Sequence, residues 1–123
     1  MTDERLFTRA EADAELADLR ELLPRLREAR RALIGASERI TEALAADGGG
    51  VAGSDWFRAQ QTLKADLEDL ARRGIVLRDP ESGLVDFPSE LDGRRVLLCW
   101  RLGEDDVAWY HDEHGGFRGR KPL

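Results

Sequence analysis

The sequence predicts an α+β fold, an antiparallel helical hairpin with a long first helix packed on a small antiparallel β-meander. Three observations carry this. Apolar residues recur in steps of four and three from Ala12 to Leu70, that period stops at Gly74, and no helical pattern separates the short apolar runs that follow. A length of 123 residues with 41% hydrophobic content suffices for one ordinary core. Residues 1–123 therefore read as a single domain, with a helical hairpin over 8–73, a glycine-rich connection over 46–53, and an antiparallel β region with an irregular tail over 75–123.

Thr8 followed by Glu11 reads as a capping box that starts the first helix, which should run from Arg9 to about Ala45. Its apolar seam is Ala12, Leu16, Leu19, Leu23 and Leu26, then Leu33, Ile40 and Leu44, with Arg30 and Ser37 at the two skipped places. Pro24 removes one backbone hydrogen bond inside that seam, and because the register continues from Leu23 to Leu26 it predicts a kink rather than a break. Gly48, Gly49, Gly50 and Gly53 form a flexible connection without the lysine of a phosphate loop. Ser54 or Asp55 caps a second helix carrying Trp56, Leu63, Leu67 and Leu70, and Gly74 after Arg72 and Arg73 marks a Schellman stop, with Ile75 folding back on Leu70.

Ile75 to Leu77 and Leu84 to Phe87 flank the turn signal Asp79-Pro80-Glu81-Ser82-Gly83, so they read as a hairpin, closed by Pro88. A second hairpin pairs Arg95–Arg101 with Val107–His111, entered through the turn Asp92-Gly93. The expected sheet is a meander of three or four strands within residues 75 to 111. The tail from Gly115 to Leu123 is too rich in glycine for a long strand, although Phe117 can anchor it.

Nineteen basic residues against 25 acidic ones give a formal charge of −6, which opposes general binding to nucleic acid or to an anionic membrane. The basic run Arg25, Arg27, Arg30 and Arg31 is interleaved with Glu21 and Glu28 and reads as a solvated face of opposite-sign pairs. No apolar run reaches the ~20 residues that span a bilayer. The first residues lack the pattern of a signal peptide, and the single cysteine excludes an internal disulfide, so a cytoplasmic location is expected. Nucleophile elbows, zinc-protease histidine pairs and paired CxxC motifs are all missing, so no catalytic residue, no metal centre and no cofactor is assigned.

The second hairpin holds the residues with chemical potential. His111 and His114 stand three apart, and with Asp86, Cys99 or Glu104 from neighbouring strands they offer nitrogen and oxygen ligands to an ion such as zinc, although histidines so placed are more often structural. Cys99 itself reads as a small buried apolar residue. Strand alternation groups Trp100 with Val96 and Leu98, and Trp109 with Val107 and His111, so the two indoles are expected to meet across the strand pair. Core packing explains such a pair. The other reading is a pocket walled by the indoles, with Arg101, His111 and Arg120 at its rim, suited to a small anion or an acidic peptide end.

The strings Gly74-Ile75-Val76-Leu77-Arg78-Asp79-Pro80, Gly83-Leu84-Val85-Asp86-Phe87-Pro88 and Leu98-Cys99-Trp100-Arg101-Leu102-Gly103-Glu104 resemble a bacterial family known as domain of unknown function 2203. The likeness continues through Trp109, His111, Gly116-Phe117 and Gly119-Arg120, and Phe7-Thr8 with Leu22-Leu23-Pro24 resembles the family's opening. His114 departs from the pattern. The resemblance implies a small bacterial protein with helices before a compact β region, and it implies no activity, cofactor or catalytic residue.

Two functions follow as expectations. In the first, the chain is a non-enzymatic interaction module and a homodimer, because a first helix of ~55 Å outruns both the second, of ~28 Å, and a domain with a radius of gyration of ~14 Å. The excess seam of Leu16, Leu19, Leu23, Leu26, Leu33 and Ile40 would then pack against a second copy or another protein. In the second, the sheet carries a small-ligand or metal-binding site, enzymatic or not, around Asp86, Glu104, Trp109 and His111, with Trp100, Arg101 and Arg120 as neighbours.

Overall fold

A computed structural model describes residues 4–47 and 54–123. The glycine-rich connection from 48 to 53 lies outside the described residues, as do the side chains of Ile40 and Leu44. The fold is α+β. Helix α1 spans Arg9–Asp47 and α2 spans Ser54–Arg73. Strands β1 (Val76–Asp79), β2 (Leu84–Leu91), β3 (Arg94–Arg101), β4 (Trp109–His111) and β5 (Lys121–Pro122) follow in a single antiparallel sheet ordered as they occur in the chain.

The local signals form as their chemistry requires. The Thr8 amide donates to Glu11 Oε1 at 2.9 Å and the Glu11 amide donates to Thr8 Oγ1 at 3.1 Å, a closed capping box. The helix continues through Pro24 as a single element. At the end of α2, Gly74 takes φ 78°, its amide donates to the Ala71 carbonyl, and the Ile75 amide reaches the Leu70 carbonyl at 3.0 Å. These are the two bonds of a Schellman motif, and both Ile75 and Leu70 are buried beneath it. Asp92 and Gly93 both take positive φ, as a two-residue type I′ hairpin turn demands.

Ion pairs fix the helices as an antiparallel pair. Arg73 meets Glu15 at 3.1 Å near one end, while Arg25 grips Asp66 through two hydrogen bonds of 2.8 and 3.0 Å further along. Three arginines of the basic run are thus paired within the chain, since Arg30 and Arg31 also reach Glu81 in the β1–β2 turn, while Arg27 Nε is buried with no hydrogen-bond partner among the described residues.

One face of the sheet packs on α1. Val85, Phe87, Leu98 and Trp100 join Phe7, Leu16, Leu19, Leu23, Leu26 and Leu70 in a continuous buried cluster. Phe7 meets Phe87 edge to face at 5.2 Å. The proposed interface leucines therefore need correcting: Leu16, Leu19, Leu23 and Leu26 are at most 3% exposed and are covered by the chain's own sheet and second helix. Leu33, further along α1, is half-buried.

The sheet also departs from expectation in two places. Strand β2 does not close at Pro88 but passes through it to Leu91, because Pro88 lies beyond the first β1 pair, Val76 with Asp86. Its carbonyl takes the Phe7 amide at 2.7 Å, so its nitrogen faces the sheet's open edge, where no strand calls for an N–H. The tail adds a fifth strand, and the Leu123 amide closes it on the Ala108 carbonyl at 2.9 Å.

Candidate functional site

Strand register sets the composition of the second face. Val85 pairs with Trp100, so its neighbours Asp86 and Cys99, paired with each other, point away from the helices. Cys99 in turn pairs with Trp109 and Leu97 with His111, which places both β4 residues on that outer face too. The expectation that the two indoles meet is corrected here. Trp100 belongs to the helix-covered core and Trp109 to the opposite face. The expected strand Val107–His111 begins only at Trp109, so alternation does not tie the two residues together: Val107 packs in the inner core although Trp109 faces outward.

The outer face buries ionisable groups. Asp86 is 1% exposed, Cys99 1% and His111 4%. His111 Nε2 lies 3.0 Å from each oxygen of the Asp86 carboxylate, and His111 Nδ1 lies 2.6 Å from the Asp112 carbonyl. A carbonyl only accepts, so Nδ1 carries a proton and donates. The Asp86 carboxylate also accepts from Arg78, whose Nε donates to Oδ2 at 2.7 Å. Burial and the neighbouring Asp86 charge push the Cys99 thiol up to about 12, so in the free chain it is a protonated thiol.

A strap from Asp112 to Arg120 folds over this cluster. Asp112 takes the amides of His114 and Gly115 at 3.0 and 2.6 Å, which shapes the turn. These bonds hold the Asp112 carboxyl below its ordinary range. The far end is locked by Arg120, which bonds both oxygens of Glu104 at 3.0 and 3.1 Å. Its guanidinium also lies 4.9 Å from the Trp109 ring and 4.0 Å from that of Phe117. Arg101 also lies over the Phe117 ring, at 4.9 Å. Between strap and sheet lies a cavity of about 220 Å³, lined by Arg78, Asp86, Cys99 and His111 from the sheet and by His114 and Phe117 from the strap.

A family model described as an uncharacterised conserved protein, DUF2203, matches residues 5–123. The chain belongs to this family. No curated protein matches it, and no solved structure does. Within this DUF2203 chain the expected residues separate into three groups. Asp86 and His111 form the buried pair. Glu104, Trp109 and Arg120, with Arg101, form the clasp that holds the strap, and Arg120 also reaches the Cys99 thiol beside the pair. Trp100 faces the helices, where its indole N–H donates to the Glu104 carbonyl at 3.1 Å.

One member of the cluster, Arg78, is absent from the expected site, because a lone arginine in a strand carries no sequence signature, although its alternation with Leu77 places it beside Asp86 once β1 and β2 are paired. Cys99, open in the sequence to both an apolar and a ligand reading, sits in register opposite Asp86, within reach of a shared ligand. Asp86, Cys99 and His111 bring a carboxylate oxygen, a sulfur and an imidazole nitrogen within 4.8 Å of one another.

Proposed function

We propose that this chain is a binding module whose site is the outer face of the sheet, beneath the 112–120 strap. The observation that supports the reading is the burial of Asp86, Cys99 and His111 next to a cavity. Such a group is hard to explain by stability alone, because desolvating a charged pair offsets most of its attraction, and apolar residues of the same volume serve a fold equally well. The chemistry at hand suits a small ligand: Asp86 and His111 fix orientation, Arg78 supplies positive charge, and Phe117 gives an apolar roof. A cytoplasmic setting belongs to the same reading, since a reducing compartment keeps the single thiol free. Among the described residues no helix is long and apolar enough to cross a membrane.

The test is a thermal-shift panel of zinc, manganese, phosphate and short carboxylates against the wild type and His111→Gln. A ligand that raises the wild-type melting temperature and leaves the variant unmoved supports the site; a panel that moves neither protein, or both alike, sinks it.

A second reading, homodimerisation or partner docking through the hairpin, keeps one specific support. Ile34 on α1 and Phe57 and Leu67 on α2 are 45%, 59% and 42% exposed, on the helices but outside the buried cluster. Light scattering at about 100 µM, where a micromolar dimer is mostly formed, decides it. A dimeric mass that Phe57→Glu reduces to that of a monomer favours the reading, and a monomeric wild type ends it.

A further inference from the structure

We infer that Asp86, Cys99 and His111 bind a divalent transition-metal ion of the zinc class, with three donors from the sheet and a fourth position open to the cavity under the strap. This rests on the reading of the outer face as a binding site and names the ligand class that the site takes.

Donor chemistry is the first argument. Thiolate and imidazole together favour zinc or a similar borderline-soft ion over magnesium or calcium, which prefer oxygen alone. Geometry is the second. Zinc bonds of about 2.0–2.3 Å at tetrahedral angles place neighbouring donor atoms about 3.3–3.7 Å apart. His111 Nε2 and Asp86 Oδ1 already stand 3.0 Å apart, and every donor in the triad lies within 4.8 Å of the others, so side-chain adjustments of about an ångström close the site.

Orientation is the third argument. A metal-bound histidine usually donates its remote N–H to a carbonyl or carboxylate, and His111 Nδ1 does this toward Asp112, which leaves Nε2 aimed at the other two donors. Arg78 occupies Oδ2 of Asp86 from the outside, an outer contact that orients the carboxylate and leaves Oδ1 toward the ion.

Cobalt(II) is the probe for the test, added to the full chain after chelator treatment and reduction. The expected result is one equivalent bound, with the visible bands of four-coordinate cobalt and a thiolate-to-cobalt band in the near ultraviolet, all bleached by one equivalent of zinc. Cys99→Ser, a nearly isosteric change verified as folded by circular dichroism, should lose the thiolate band and bind at least about 100-fold more weakly. The inference is overturned by no stoichiometric binding at about 100 µM ion, or by a cobalt spectrum identical in Cys99→Ser. Manganese or an anion that stabilises the wild type but not His111→Gln, without any thiolate band, would overturn the zinc-class assignment and leave the broader binding site standing. If no ligand acts, both fall.

Discussion

At their centres the two faces of the sheet are equally buried and built from opposite chemistry. On the inner face Val85, Phe87, Leu98 and Trp100 are at most 1% exposed, and on the outer face Asp86 and Cys99 are as well buried. The inner face is covered by a helix of 39 residues and held by apolar area. A short strap covers the outer cluster, where hydrogen bonds between charged groups replace apolar contact. Antiparallel sheets commonly leave one face to water, so a second face closed over ionisable side chains is not something the fold requires. The inner face is what keeps the chain folded, and the outer face is where chemistry has been placed.

The largest effect is expected on the inner face. Leu26→Asp puts an unpaired carboxylate into a fully buried position and removes a leucine from the core, so it should cost more than about 4 kcal/mol in denaturant unfolding and abolish the native near-ultraviolet circular dichroism. A folded, merely monomeric variant would show that α1 is not what covers the sheet.

Next in size is the buried pair. Asp86→Ala leaves His111 without its acceptor and should cost about 3 kcal/mol, whereas replacing both residues with apolar ones, as in Asp86→Val with His111→Phe, should recover most of that loss. If the double variant is as unstable as the single one, the outer cluster is a structural element, and the contrast between the faces fails.

Arg120→Ala should cost about 1–2 kcal/mol, because it removes the stacking on Trp109 and Phe117 and the partly buried pair with Glu104. A more telling readout is local. Strap opening should expose Cys99 and raise its rate of modification by a thiol reagent about tenfold, which is the equivalent of ~1.4 kcal/mol of opening free energy. Equal rates in the two proteins would show that the strap does not guard the site.

The smallest effect lies at the cap that starts α1. The Thr8 backbone and hydroxyl hydrogen bonds hold the Glu11 carboxyl below its ordinary 4.5 in the folded chain, so its contribution is present above that value and is lost as pH falls through the lower folded pKa. Thr8→Ala should cost about 1 kcal/mol at neutral pH. Its deficit relative to the wild type should shrink in acid, as read from paired melting curves; a deficit constant with pH would show that the reciprocal cap is not formed.

Much of the fold was legible because its signals are local. The capping box spans four residues, the Schellman stop at Gly74 depends on residues 70 to 75, and the type I′ turn is set by Asp92 and Gly93. The buried pair of His111 and Asp86 was legible as a possibility, since alternation puts ionisable residues on one face of each strand. What alternation did not supply was the phase between β3 and β4. Seven residues of irregular chain reset it, and with the reset the pocket of two indoles became one core tryptophan and one outer tryptophan.

By itself, then, the sequence determined that two capped helices precede an antiparallel meander, because helix ends and tight turns are decided by hydrogen bonds and φ preferences within a few residues. Tertiary structure alone decided which side chains share a face. Cross-strand register brought Cys99 and Arg78 to Asp86, packing on α1 removed Leu16 to Leu26 from any partner, and the missing neighbour at the sheet's edge let β2 run through Pro88. Those outcomes depend on distances between residues far apart in the chain, and a one-residue change of phase exchanges every side chain between core and outer face.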